Sequence, residues 1–266
     1  MLRKRSERIA QSRFVVEGAR AVEQVLRNGM LNVDFLVMTG EFMQSLGAQG
    51  FLSGKTGAGK VDIESPVYTV TASVFNQIAD TDTSQGLLAV CCIPKPAPDA
   101  DILRRSGALL AVDQVQDPGN LGTIIRTAVW FGLEGLVLSP GTVDLFHPKV
   151  VRSTAGATGV IPWLETDLDV FLMEAAKQGW HIHLLDNAKD SQPYTRVARS
   201  DRDILVVGNE ANGISQKVRT LGFGRVRIDP AGASTGVESL NASVAAAIVM
   251  AHFCRPRLSV EQFPSD

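Results

Sequence analysis

Between residues 107 and 229 the chain repeats one pattern, a short apolar run, a polar or glycine-containing turn, then a helical segment. The apolar runs are ALLAVDQV, LEGLVLS, WHIHLLD, DILVVGNE and RVRID. Runs that are apolar throughout, rather than at every second position, belong to strands buried on both faces. Their alternation with helices specifies a parallel sheet covered on two sides. The segments NLGTIIRTAVWFG, PKVVRSTAGA, DLDVFLMEAAKQG and QKVRTLG supply the helices, and LNASVAAAIVMAHFC closes the chain as a long one. An open sheet of this kind takes its ligands beyond the C-terminal ends of its strands.

The first third of the chain also alternates. FVVEGARAVEQVL has helical spacing, VDFLVMT and PVYTVT read as strands, ASVFNQIAD as a short helix and GLLAVCCI as a buried strand. Then three prolines fall within five residues, Pro94 to Pro98, followed by charge, which predicts a stiff exposed linker. The resulting division is a small α/β domain over 1–94, a linker over 95–106 and a larger domain over 107–257.

With 45% hydrophobic and 20% charged residues, the 266-residue composition is that of a soluble globular protein. No apolar run reaches a membrane span, and the Arg-rich start lacks the apolar core of a secretory signal. These features predict a cytoplasmic protein, or one of an organelle matrix or stroma if the basic start belongs to a transit peptide. Three cysteines, two of them adjacent, make no disulfide framework and suit core thiols of a reducing compartment. The net charge of −2 does not advertise nucleic-acid binding. Seven basic residues up to Arg27, and pairs or triplets such as Lys149–Arg152 and Arg225–Arg227, still permit a phosphate-binding surface.

Several motifs have structural explanations. GKTGAGK, ending at Lys60, matches the glycine spacing of a phosphate loop, but Val61 stands where the magnesium-binding hydroxyl belongs. His181 and His183 alternate on a strand without a third ligand nearby in sequence, so no metal site is implied. Arg126 is different. It interrupts a run of Ile, Ala, Val, Trp and Phe, and either snorkels to solvent or is held in a polar site. Asn120 reads as the N-cap of its helix. Two further polar segments follow strands: Gly208–Asn209–Glu210, and the glycine-rich stretch that leads into Ser239, Leu240 and Asn241. Turn chemistry and caps explain each alone. Three such loops converging on one sheet edge ask for more.

Together these segments resemble the SpoU class of RNA ribose methyltransferases, within the SPOUT superfamily. The match rests on Asn-x-Gly then Arg-Thr-Ala and Phe-Gly over 120–132, Gly-Asn-Glu then Gly-Ile-Ser over 208–215, and Ser-Leu-Asn-x-Ser over 239–243. RFVVEGARAVEQVL is similar to the start of the small ribosomal-protein-like RNA-binding domain that often precedes it. The third segment departs from the pattern, with Ile-Asp-Pro and a longer loop, and Ala211 and Asn212 stand where the family often has glycine.

The resemblance implies a trefoil-knotted α/β domain that binds S-adenosylmethionine, uses no metal, acts on RNA and pairs as a homodimer. It implies methylation of a ribose 2′-hydroxyl, first of a guanosine in large ribosomal RNA and second of transfer RNA. Arg126 would be the key catalytic residue. Glu210 would anchor Asn120 or Arg126, Ser239 and Asn241 would orient the nucleotide, and backbone groups at Gly208, Ile228 and Leu240 would hold the cofactor. Arg126 is physically awkward as a base, since guanidinium stays protonated, and better suited to gripping hydroxyl and phosphate. Two readings of other kinds are a nicotinamide dehydrogenase, disfavoured because Gly119-x-x-Gly122 is not G-x-G-x-x-G, and a catalytically silent RNA-binding protein.

Overall fold

The structure is a computed structural model and describes residues 2–45, 65–81, 83–232 and 239–254. The GKTGAGK segment lies outside the described residues.

The small half opens with helix α1 (Arg5–Gln11), strand β1 (Arg13–Glu17) and helix α2 (Ala19–Asn28). It continues through β2 (Val33–Thr39), α3 (Gly40–Gln44), β3 (Val67–Val70), α4 (Ala72–Ile78) and β4 (Leu87–Cys92). The strands form one sheet in the order β1-β4-β2-β3, antiparallel except for β2 with β3. Cys91 points into the core and Cys92 away from it, as neighbours on a strand must. Burial, assisted by Cys92, pushes the Cys91 thiol up to about 12.

The large half carries β5 (Gly107–Val112), α6 (Pro118–Trp130), β6 (Gly135–Leu138), α7 (Pro148–Thr154), β7 (Trp163–Glu165) and α8 (Leu168–Lys177). After it come β8 (His181–Leu185), β9 (Gln192–Pro193), β10 (Arg202–Val207), α9 (Gln216–Arg219), β11 (Gly224–Arg227) and α10 (Ala242–Phe253). All paired neighbours run parallel, in the order β7-β6-β5-β10-β8-β11-β9. The central strands β5 and β10 are buried on both faces, as their uninterrupted apolar runs require. Helix α10 packs back on α6 and β10. This is the parallel α/β architecture expected. Residues 233–238, between β11 and α10 in sequence, lie outside the described residues, and the expected knot is not decided by the rest.

The stretch over 95–106 is mostly exposed, as its prolines suggest, yet it is anchored to the large half. Residues Asp99–Leu103 form a short helix (α5), with Ile102 0% and Leu103 2% exposed in the core beneath α8. The amide of Ala97 bonds to the carbonyl of Trp163 at 2.8 Å. Proline stiffens the approach, but two apolar side chains dock α5 into the large half.

The two halves also share a core. Phe14 and Val16 of β1 belong to the same buried cluster as Leu121, Ile125 and Val150. Phe14 lies 4.8 Å from Phe146 with the rings tilted, and Phe146 meets Trp163 edge-on at 5.4 Å. Arg8, on α1, is only 2% exposed; it grips the Asp144 carboxylate and donates to the carbonyls of Leu2 and Arg3 at 2.8 and 2.7 Å.

At the opposite end of the large sheet from the candidate site, His183 is buried against Asp203 at 2.8 Å and lies 4.5 Å from the ring of Phe253. Burial works to raise the Asp203 carboxyl, but hydrogen bonds from His183 and Ser200 outweigh it and leave it below its ordinary value. The histidine therefore has a structural partner, and no metal-binding cluster occurs among the described residues.

Removing Arg8 leaves Asp144 in the seam without its cation and two carbonyls without a donor. We expect Arg8→Ala to destabilise the protein by about 2–4 kcal/mol, read as a drop of several degrees in the melting midpoint by differential scanning calorimetry. A midpoint within one degree of wild type would show that the seam does not depend on this pair.

Candidate functional site

The site is assembled at the C-terminal ends of β5 and β10 and at the start of α10. Helix α6 begins earlier than the sequence suggests. Its N-cap is Asp117, whose Oδ1 accepts from the amide of Asn120 at 2.8 Å, and Pro118 takes the first helical position. Asp-Pro is a stronger start signal than a lone Asn, because proline lacks only an amide that the first turn leaves unpaired. Asn120 is therefore inside the first turn with its side chain free of the cap.

That side chain meets Glu210. Glu210 Oε1 accepts from Asn120 Nδ2 at 2.9 Å and from the amide of Asp117 at 3.3 Å, while Oε2 lies 3.4 Å from the amide of Gln116. Asn120 Oδ1 in turn accepts from Asn241 Nδ2 at 3.0 Å. Asn241 Oδ1 caps α10, accepting from the Ser243 amide at 2.9 Å, its hydroxyl at 2.6 Å and the Val244 amide at 3.3 Å. The three segments singled out in the sequence are thus joined by one hydrogen-bonded chain. Each asparagine amide retains one N–H for an outside acceptor.

The loop bearing Glu210 is held rigidly. Asn209 and Gly213 exchange backbone hydrogen bonds, both at 2.9 Å. The Asn209 side chain accepts from the amides of Ala211 and Asn212 and donates to the carbonyl of Gln114 at 2.7 Å. Gly208 is buried, and a Cβ there would stand 2.3 Å from the backbone of Gly213, so only glycine lets the loop fold back. Asp113, 2% exposed at the end of β5, accepts from the amide of Ser215 at 2.7 Å and locks the start of α9. Gln114 takes a left-handed φ of 57°, uncommon for a residue with a side chain and placed beside the site.

Asp113 and Asp117 do not stand out in the sequence as site residues, and Asn209 does so only as part of the Gly-Asn-Glu segment. The Asp-Pro-Gly start marks Asp117 as a cap. An aspartate ending a buried strand gives no local sign of what it will bond.

Arg126 stands apart from this chain. It is exposed on the outer side of α6 with Thr123, Thr127 and Trp130, and has no hydrogen bond or ion pair among the described residues. Glu210 thus anchors Asn120 and not Arg126. Ser239 is exposed, Leu240 is 47% exposed, and Ile228 is half-buried beyond β11. The peptide groups of Gly208, Ile228 and Leu240 make no hydrogen bond among the described residues. Unpaired backbone groups just past β10 and β11 and before α10, one of them on a buried residue, fit a ligand with its own donors and acceptors. Gly119 and Gly122 lie within α6, so they form no dinucleotide-binding loop. The side of Gly122 packs against α7, where a Cβ would meet Ser153 at 2.3 Å.

An open parallel sheet with a polar C-terminal edge, fused to a small α/β domain, defines a two-domain ligand-binding α/β protein. A model of the SpoU rRNA Methylase family matches residues 107–251, and a model of the MRM3-like substrate binding domain matches residues 1–89. The chain belongs to the SpoU rRNA methylase family. It is 31% identical over 255 residues to the 23S rRNA (guanosine(2553)-2'-O)-methyltransferase RlmP of Bacillus subtilis, covering 94% of this chain and 92% of that protein. It is 25% identical over 322 residues to the mouse mitochondrial rRNA methyltransferase 3, covering 100% of this chain and 73% of that one. The crystal structure of an AdoMet-bound rRNA methyltransferase from Sinorhizobium meliloti superimposes with a TM-score of 0.79 at 28% identity, over 97% of this chain and 93% of that one.

Forcing a methyl group into the Gly208 turn must displace Gly213 and with it the Glu210 tip. We expect Gly208→Ala to cost about 1–3 kcal/mol, measured by urea unfolding. An unchanged midpoint would show that the loop yields freely.

Proposed function

We propose that this protein transfers a methyl group from S-adenosylmethionine to a ribose 2′-hydroxyl of RNA, with a guanosine of large-subunit ribosomal RNA as target. The observation that carries the reading is the Glu210–Asn120–Asn241 chain, which brings the three family segments to one sheet edge. The RNA substrate is supported by the relatives, which are ribosomal RNA methyltransferases, and the guanosine by the Bacillus subtilis relative.

The cofactor supplies a methyl group on a sulfonium, so that the displaced group departs as a neutral thioether. The backbone of Gly208, Ile228 and Leu240 is suited to hold its adenosine part. The remaining requirement is to align a poor nucleophile and offset the charge that forms as it loses its proton. Arg126 suits that role. It is a permanent cation with a planar fork of donors, and no carboxylate in the described residues occupies it. It grips the hydroxyl and the adjoining phosphate, stabilising the charge that forms, and that phosphate helps the proton leave. Asn120 and Asn241 orient the nucleotide through their remaining N–H groups, with Ser239 beside them. Glu210 keeps both amides in register.

The protein acts as a homodimer in this reading. Support comes from α10, apolar on every side, with Val244 48% exposed and Ala245 and Ile248 half-buried on the same flank. The adjoining α6 presents Trp130 at 84% exposure. A second copy would cover both.

Mapping ribose methylation in cells lacking the gene tests the activity. One guanosine of the large-subunit RNA should lose its methyl group and regain it on complementation; a complete methylation map in the deleted strain would refute the reading.

For Arg126→Lys, single-turnover methyl transfer should fall about a hundredfold, the scale lost with one positioned group. Cofactor affinity and melting temperature should stay unchanged. Transfer at the wild-type rate would remove Arg126 from the mechanism.

Val244→Glu sets a charge in the proposed dimer face. Sedimentation should show a dimer for wild type and a monomer for the variant at micromolar concentration. A monomeric wild type would end the dimer assignment.

A further inference from the structure

Helix α7 has no role in the mechanism above, yet it lies between β1 of the small half and α6 of the large one. Its inner side is Val150, Val151 and Thr154, all buried. Its outer side carries Lys149 and Arg152, while Ser153 faces α6 at Gly122.

The polar contacts on that outer side form a path. In the small half, Glu17 Oε2 accepts from the amide of Asp80 at 2.8 Å. The Asp80 carboxylate is gripped by Arg152 and lies 3.8 Å from Arg3. One turn back along α7, Lys149 Nζ stands 3.9 Å from Asp117 Oδ2. Asp117 caps α6 and bonds Asn120 through its other oxygen. Arg20, exposed at the start of α2, has no partner among the described residues. Cations therefore run from the small half to the first turn of the catalytic helix, with Glu17, Asp80 and Asp117 as the acids beside them.

Lys149 is the cation nearest the site end. At 3.9 Å its contact with Asp117 is too long for a hydrogen bond, and the side chain is 55% exposed. Its three donors remain open to another anion. An exposed pair of this kind adds little to stability, so holding α6 does not explain it. The shared core fixes the small half in place, so one polyanion can span both ends of the path.

We propose that the outer side of α7 is the track on which the RNA backbone crosses from the small domain to the catalytic edge. Lys149 is a positioning residue on that track, binding a phosphate near the target nucleotide. This inference rests on the reading of the protein as an RNA ribose methyltransferase.

The test measures binding of a large-subunit ribosomal RNA transcript by the full-length protein between about 50 and 200 mM salt. Lys149→Ala is compared with Lys149→Arg and with Lys189→Ala, an exposed lysine on the loop after β8. Lys149→Ala should weaken binding about tenfold at low salt, and its log–log salt slope should shrink by about 0.7–0.9, the share of one phosphate contact. KM for RNA should rise with kcat unchanged, cofactor affinity should hold, and Lys149→Arg should restore most of the loss. Equal affinity and slope for wild type and Lys149→Ala, or the same loss in Lys189→Ala, would overturn the proposal. Mass spectrometry of RNA treated with wild type reads the underlying activity separately. Absence of any ribose methylation there would refute the reading, while the salt slopes would still decide the place of Lys149.

Discussion

The carboxylate of Glu210 sets the polarity of everything built around it. A carboxylate can only accept, so Asn120 must present its N–H₂ to it and its carbonyl to the far side. Asn241 must then donate to that carbonyl and turn its own oxygen toward α10, where three donors converge on it. A glutamine at 210 could accept or donate, and the direction of both amides would lose its source. The network is solvent-accessible, so each bond adds about 1 kcal/mol at most. Its worth lies in orientation: two loops and a helix, distant in sequence, are brought into one register.

That register is useful only if the substrate arrives in register too. A proline-rich connection usually predicts domains that move independently, and here the connection is docked. Ile102 and Leu103 fill the core beneath α8, and β1 shares a buried cluster with α6 and α7. Arg8 fastens α1 to Asp144 across the same seam. Severing the halves would bare this apolar surface, so the small domain is a fixed part of the catalytic unit rather than a tethered arm.

Much of the fold is legible in the sequence because apolar pattern and turn chemistry are local. The central strands are readable from their unbroken apolar runs, and the loops at Gly208 and Asn241 from the residues that such loops need. Two kinds of feature are not. The sequence suggests a start of α6 at Asn120, whereas Asp117 and Pro118 form the stronger cap; that shift frees Asn120 for Glu210. The docking of 99–103 is hidden because two apolar residues after prolines look the same whether they meet a core or solvent. Asp113 and Asn209 act across about a hundred positions of chain, and no spacing rule reports such contacts.

Arg126 lies on the same helix as Asn120 but outside the hydrogen-bonded chain. The polar side chains that gather at the first turn of α6 are engaged: Asn120 with Glu210, Asp117 with the cap, Asn241 with α10. Had Glu210 bound Arg126 instead, the guanidinium would be neutralised, with two of its donors spent. Placing it about two turns along the same helix leaves it fixed in direction by a buried backbone yet unpaired at its tip. Its apolar neighbours Ile124, Ile125 and Ala128 carry the packing, which frees position 126 from any part in stability. The charge inside an apolar run is a consequence of this division of labour: the helix is bound by one face and offers its cation from the other.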